Sequence, residues 1–225
     1  MKSPTSDTPV LAAPLLSVAH AHDWADLAAV FEPWCNIVHL RRSLPAALAA
    51  DAARLGAACW SELRVTLAAD TEEGPLAAAP LHAALLARGV PGQDALAADL
   101  MVLAEVLRDL TGAEAIGVRL SRLDRPACPR LHYDRVGLRL VTTYLGPGTE
   151  YVPDRWSREG SGASENLGER AALELLREPP CTSATGDVLL LKGTLWPGNA
   201  RSGAVHRSPP SAAPSIRLLA TFDPL

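Results

Sequence analysis

The chain has 225 residues, of which 48% are hydrophobic and 4% aromatic, and its formal net charge is −4. This length is enough for one large domain with a buried core, and the composition is typical of a globular protein. The slightly acidic balance argues against nucleic acid or an anionic membrane as a partner, because both select basic patches. No apolar run reaches the roughly 18–20 residues that a membrane-spanning helix requires.

The start of the chain and the cysteines favour a cytoplasmic protein. Residues 1–9 are polar and contain two prolines, which predicts a disordered N-terminus and makes a poor start for a signal peptide. The four cysteines are widely scattered and form no CxxC pair. In a chain of this size, that distribution is not typical of a disulfide framework.

The first half of the chain, residues 10–112, is predicted to form a mainly helical support region. The clearest helix covers 93–111, where apolar residues recur at spacings of three and four and Gly112 follows as a C-cap. The alanine-rich helices are expected to pack on the rest of the protein, with a homodimer face as the alternative. Further elements indicated are helices over 23–34 and 43–60 and strands over 35–42 and 64–69.

The second half, residues 113–225, has the pattern of short strands separated by glycine- and proline-rich turns. One long break interrupts it. Residues 154–170 are predicted to be a lid, because a break of this length in a compact domain is usually functional or disordered. Trp156 is a candidate substrate contact there, or it packs under its own loop. Period-two alternation occurs at 115–124, 137–145, 186–193 and 215–223.

Three side chains in this half are candidate metal ligands. His132 and Asp134 are two residues apart before a predicted strand, so their side chains point to the same face. Alone, this pair also suits an ordinary surface turn. His206 follows another predicted strand, and two histidines with one carboxylate form the facial triad of non-haem Fe(II) oxygenases. No other side chain is needed as a catalytic acid or base.

Arg217 is the candidate for binding an anion. It lies on a predicted strand, where it shares a face with Leu219 and Thr221. A guanidinium among apolar neighbours needs a carboxylate partner, which it binds with two parallel hydrogen bonds. That partner is either an Asp or Glu of the protein or the distal carboxylate of an acidic cosubstrate.

These motifs follow one another in the order of a known superfamily. "HYD", a strand ending in "TYL", the turn "GPGTEY", the strand "GDVLLL", a second histidine and a downstream arginine resemble the Fe(II)/2-oxoglutarate-dependent dioxygenases, especially their prolyl-hydroxylase-like branch. The resemblance covers residues 116–223. The whole chain also resembles an uncharacterised bacterial family described only as a domain of unknown function.

The resemblance implies an α+β protein with a C-terminal double-stranded β-helix, or jelly roll, on which the helical N-terminal portion packs. It implies that His132, Asp134 and His206 bind Fe(II). It further implies that Arg217 pairs with the C5 carboxylate of 2-oxoglutarate, helped by the hydroxyl of Tyr144. The expected activity is oxidation, by hydroxylation, of an unknown small molecule or peptide.

This chain departs from the superfamily pattern at two places near the cosubstrate. Many relatives have Ser or Thr two residues after the arginine, where this chain has Leu219, and "GPGTEYVP" replaces their usual Gly-Gly-x-Thr turn. Neither departure changes a metal ligand. Both concern the pocket for 2-oxoglutarate.

Non-catalytic alternatives remain open from the sequence. A zinc-binding jelly-roll protein of metal homeostasis would bind Zn(II) through the same three ligands without 2-oxoglutarate. A structural protein with a degenerate jelly roll would pair Arg217 with an internal carboxylate. A separate zinc site in the first half is a further alternative, because the residue types there include zinc ligands, namely His20, His22, Cys35 and His39.

Overall fold

The computed structural model describes residues 17–71, 74–89, 92–153, 180–200, 203–210 and 216–225. The predicted disorder of residues 1–9 and the proposed lid at 154–170, with Trp156, lie outside these segments. Among the described residues, no helix is both long and apolar enough to cross a bilayer.

The elements follow the sequence pattern closely in the second half and less closely in the first. A 3-10 helix covers Ala25–Phe31, within the predicted 23–34. The helices are α1 (Ala46–Ala57), α2 (Ala79–Leu86) and α3 (Asp94–Thr111). The strands are β1 (Val18–Ala21), β2 (Ile37–Leu40), β3 (Glu62–Ala68), β4 (Ala115–Leu123), β5 (Leu138–Leu145), β6 (Glu150–Tyr151), β7 (Cys181–Thr182), β8 (Val188–Lys192), β9 (His206–Arg207) and β10 (Arg217–Pro224).

The termination of α3 has a clear local cause. Gly112 follows it with φ 65°, in the left-handed region that glycine enters without a steric penalty, and its N–H donates to the carbonyl of Arg108. The predicted C-cap is confirmed. Directly after it, the chain enters the longest strand, β4.

A seven-stranded sheet in the order β1-β2-β8-β5-β10-β4-β3 forms the centre of the protein. Its neighbours pair antiparallel except β1 and β2, which run parallel. A smaller sheet has the order β7-β6-β9. The described structure is therefore a mixed α/β arrangement built around a large, mainly antiparallel sheet.

A mainly helical portion is not evident in residues 10–112, which contain strands as well as helices among the described residues. These residues supply β1, β2 and β3, which lie at the two edges of the large sheet. β1 was not predicted. α2 was not predicted either.

The two faces of the large sheet have different roles. One face packs against α1 and α3 and contains the main core, in which Leu100 of α3, Leu140 of β5 and Phe222 of β10 are fully buried. The other face turns toward the small sheet. A smaller apolar cluster fills the space there, made of Ile37, Val141, Tyr151, Leu189, Leu191 and Ala204. The charged side chains of interest lie on this second face.

Candidate active site

The three candidate metal ligands lie together. One ligand atom from each of His132, Asp134 and His206 falls within 4.8 Å of the others. The Nε2 atom of His132 is 3.7 Å from Asp134 Oδ1, and that of His206 is 3.5 Å from Asp134 Oδ2. Among the described residues, this is the one such group of His, Cys, Asp and Glu side chains.

Backbone pairing brings the two histidines side by side. The N–H of His132 donates to the carbonyl of His206 at 3.0 Å, and the reverse bond is 2.8 Å. Directly opposed residues of an antiparallel pair point to the same face, which places the two rings 4.5 Å apart. Asp134, two residues further on, completes the group as the period of an extended chain predicts.

Each histidine is also oriented by a backbone carbonyl. Nδ1 of His132 is 2.8 Å from the carbonyl of Arg130, and Nδ1 of His206 is 3.0 Å from that of Ala204. A carbonyl oxygen can only accept a hydrogen bond, so both Nδ1 atoms carry the proton. Nε2 of each ring faces Asp134: in the metal-free site it can donate a hydrogen bond to that carboxylate, and with Nδ1 protonated it can give up this proton and offer its lone pair to a metal.

Arg139 of β5 holds the third ligand and was missed in the sequence. Its Nη1 donates to Asp134 Oδ2 at 2.7 Å, while Nε and Nη2 donate to both carboxylate oxygens of Asp223 at 2.6 and 2.7 Å. Burial alone would raise the pKa of Asp134, but the hydrogen bond from His206 and the charges of His206, Arg139 and His132 hold that pKa well below its usual range. Asp134 is therefore an anion ready to bind a cation.

Arg217 lies in a cradle of hydroxyl groups. Nη1 donates to Ser208 Oγ at 3.2 Å, and Nη2 donates to the hydroxyls of Thr143 at 3.1 Å and Thr149 at 2.8 Å. We call these four residues the arginine cradle. Arg217 is 6% exposed, and its Nε has no hydrogen-bond partner.

No carboxylate of the described residues forms an ion pair with Arg217. Burial lowers the pKa of its guanidinium to about 10, and it remains a cation at neutral pH. Within the described part of the chain, the internal salt bridge expected of a structural arginine is not formed. A buried cation without a counter-ion is costly unless an anion from outside pairs with it.

Tyr144 does not join this cradle, which corrects the residue-by-residue inference from the resemblance. Its hydroxyl donates to Asp99 Oδ2 at 2.6 Å, within the helix-side core. Thr143 faces Arg217, and the next residue of a strand must face the opposite side of the sheet. The hydroxyls that contact the arginine belong instead to the cradle residues. The alternation of "VTTYL" around Thr143 carried this signal.

The proposed zinc ligands of the first half do not assemble into a site. Both ring nitrogens of His39 already have partners, the Tyr151 hydroxyl at 2.8 Å and Asp187 Oδ2 at 2.7 Å. Cys35 is buried, and its thiol donates to the carbonyl of Ile37. The metal-ligand group found in the described segments does not include His20 or His22.

One protein family matches most of this chain. The chain matches the family described as "Protein of unknown function (DUF1826)" over residues 21–223, and it belongs to that family. No curated protein matches it in sequence.

Solved structures resemble this chain at low sequence identity. The dioxygenase for auxin oxidation from rice has a TM-score of 0.52 and 14% identity over 93% of this chain and 83% of its own. Dioxygenase for auxin oxidation 1 from Arabidopsis thaliana, in a complex with 2-oxoglutarate, has a TM-score of 0.47 and 12% identity over 93% of this chain and 92% of its own. The likeness to the rice enzyme shows a shared fold.

Proposed function

We propose that this chain of the DUF1826 family is an Fe(II)- and 2-oxoglutarate-dependent oxygenase. The observation that carries the proposal is the combination of two features on the side of the large sheet that faces the small sheet: a His-Asp-His ligand group and a buried arginine without a carboxylate partner among the described residues. The two sheets, in this proposal, form a double-stranded β-helix. Placement in the prolyl-hydroxylase-like branch stays a prediction, as do the cytoplasmic location and the homodimer.

The residues present suit this metal. Two neutral imidazoles and one carboxylate leave three positions of an octahedral ion for other ligands. The cation would bind between His132 Nε2, His206 Nε2 and one oxygen of Asp134, while Arg139 holds the other oxygen. Bound iron would supply the reactivity toward oxygen, and the protein supplies position and exclusion of water.

The arginine cradle would bind the far carboxylate of 2-oxoglutarate. Arg217 has a free Nε and weak hydroxyl contacts, and it can form charge-assisted bonds to a carboxylate in their place. The same anion can accept a hydrogen bond from each hydroxyl of the cradle, those of Thr143, Thr149 and Ser208. The chain's own residues thus bind and orient the cosubstrate, and none is assigned as a proton donor to the reaction.

The direct test is an anaerobic titration of metal-free protein with Fe(II) and then 2-oxoglutarate. We expect a visible metal-to-ligand charge-transfer band that is absent in His206→Ala and weakened in Arg217→Met. His82→Ala removes an exposed histidine of α2 and serves as the matched control, with an unchanged band. No band, together with tight binding of Zn(II), would overturn the oxygenase proposal in favour of a zinc-binding protein.

A further inference from the structure

A groove lies on the side of the large sheet that also carries Arg139, the partner of Asp134 in the metal-binding cluster, the name we give to His132, Asp134 and His206 as candidate ligands. Its volume is about 320 Å³, and its walls come from β3, β4 and the C-terminal residues. The polar side chains around it are Arg64, Thr66, Arg119 and Asp223.

Two arginines oppose each other in this groove. Arg64 of β3 and Arg119 of β4 are direct partners in the antiparallel ladder, so both point to the same face. Like charges placed directly opposite each other destabilise a sheet. An anion between the two guanidinium groups would relieve this repulsion.

Of the two arginines, Arg64 pairs directly with a described carboxylate, that of Glu62, whereas Arg119 feels the charge of Glu62 without contacting it. Arg64 Nε donates to Glu62 Oε1 at 2.6 Å, and the other oxygen of Glu62 accepts from Ser121 at 3.4 Å. Arg119 is half-buried, and its Nε donates to the neutral hydroxyl of Thr221 at 3.2 Å. No carboxylate of the described segments forms an ion pair with Arg119.

The groove is joined to the metal-binding cluster through a single side chain. Asp223 lines the groove and accepts two hydrogen bonds from Arg139. The remaining Nη1 of the same guanidinium holds Asp134. One guanidinium therefore separates a wall of the groove from a candidate metal ligand, and a molecule anchored on Arg119 could extend along this face toward the metal site.

We propose that the groove binds the anionic group of the substrate, a carboxylate or a phosphate, through Arg119 with Arg64 at its side. Identification of this anion as part of the substrate rests on the proposed oxygenase function, whereas anion binding itself does not. The 2-oxoglutarate carboxylate is assigned to Arg217, so two separate cations would select two separate anions.

Calorimetric titration of the full chain with inorganic phosphate, and separately with benzoate, tests the groove. We expect at least one of these anions to bind, and its affinity to fall about tenfold in Arg119→Gln, the usual effect of losing one charge-assisted hydrogen bond. Arg122→Gln is the matched control, because Arg122 lies on the same strand and its Nε donates to the carbonyl of Gly56 in α1. Affinity in Arg122→Gln should equal that of the wild type.

Three results would contradict anion binding by the groove. They are no binding of either anion, equal binding in Arg119→Gln, or equal losses in Arg119→Gln and Arg122→Gln. Arg119→Lys keeps the charge and should retain most of the affinity, and it replaces Arg119→Gln if that variant fails to fold. Preference for phosphate or for benzoate would identify the chemical class of the substrate.

The Fe(II)–2-oxoglutarate band separates this inference from the proposed function. Arg119→Gln should keep the band, since Arg119 contacts neither the ligands nor the cradle. Anion binding through Arg119 without any band would support the groove proposal and contradict the oxygenase proposal. A normal band without anion binding would contradict the groove proposal and leave the oxygenase proposal intact.

Discussion

The candidate metal-binding cluster and the arginine cradle lie on the same side of the large sheet, but their charges are arranged in opposite ways. In the cluster, the carboxylate of Asp134 is already matched by Arg139, which is itself matched by Asp223. In the cradle, Arg217 meets neutral hydroxyls, and its pKa falls to about 10 through burial. A site whose charges are matched keeps its geometry when empty, whereas a site with one unmatched charge is specialised for an external ion.

The largest expected effect comes from breaking the cluster itself. His206→Ala removes one of three protein ligands, and we expect its loss of Co(II) affinity to exceed the roughly 100-fold typical of supporting residues. Competition dialysis against a chelator measures this change. His82→Ala should bind Co(II) like the wild type, and equal losses in both variants would remove the metal site from consideration.

Arg217→Met should separate function from stability. We expect 2-oxoglutarate affinity to fall about 100-fold, because the carboxylate loses its one cation. The same change should raise the free energy of unfolding of the ligand-free protein by about 1–2 kcal/mol, since a buried unpaired charge is replaced by an apolar chain. Calorimetry measures the 2-oxoglutarate affinity, and urea unfolding measures the free energy of unfolding.

The pH dependence sharpens this prediction. Arg217 loses its proton near pH 10 in the folded protein and only at a higher pH in the unfolded chain, because burial lowers the pKa of the guanidinium. Above pH 10 the unfolded state therefore binds more protons than the folded state. The free energy of unfolding of the wild type consequently rises relative to that of Arg217→Met as the pH increases above 10. A stability difference that is constant up to pH 11 would contradict an uncompensated arginine.

Arg139→Met should have the reverse effect on stability. It leaves Asp134 and Asp223 without their shared cation, so we expect a loss of about 3 kcal/mol in the free energy of unfolding. Co(II) affinity should fall about tenfold because the ligand carboxylate loses its orientation. Unchanged metal affinity in a folded Arg139→Met protein would mean that the arginine has a structural role only.

The smallest expected effect on binding comes from a comparison of two neighbouring threonines. Thr143→Val removes a hydroxyl from the cradle and should weaken 2-oxoglutarate binding about threefold to tenfold. Thr142 faces the helix side, and its hydroxyl is buried without a partner, so Thr142→Val should leave binding unchanged and stability equal or higher. Equal binding losses in the two variants would place the cosubstrate elsewhere.

The sequence predicted those features that depend on local period. Alternation located β4, β5, β8 and β10, and the two-residue spacing of His132 and Asp134 correctly placed their side chains together. Joining them to His206 needed the order of motifs along the chain, because 74 positions of sequence separation carry no distance information (206 − 132 = 74).

What the sequence did not provide was long-range pairing. The three strands of the first half are recruited by the edges of a sheet formed mostly by the second half. The Arg139–Asp223 pair could have been suspected, because Arg139 interrupts an apolar strand in the same way as Arg217. Which of the two arginines lacks a carboxylate depends on register, and only the fold supplies it.

The reciprocal bonds between His132 and His206 would give a bound ion a second role. A one-residue slip of β9 would turn His206 away from His132, since side chains alternate along a strand. An ion could bind all three candidate ligands only in the correct register. Metal binding would therefore stabilise the short strands of the small sheet in the one pairing that brings the three side chains together.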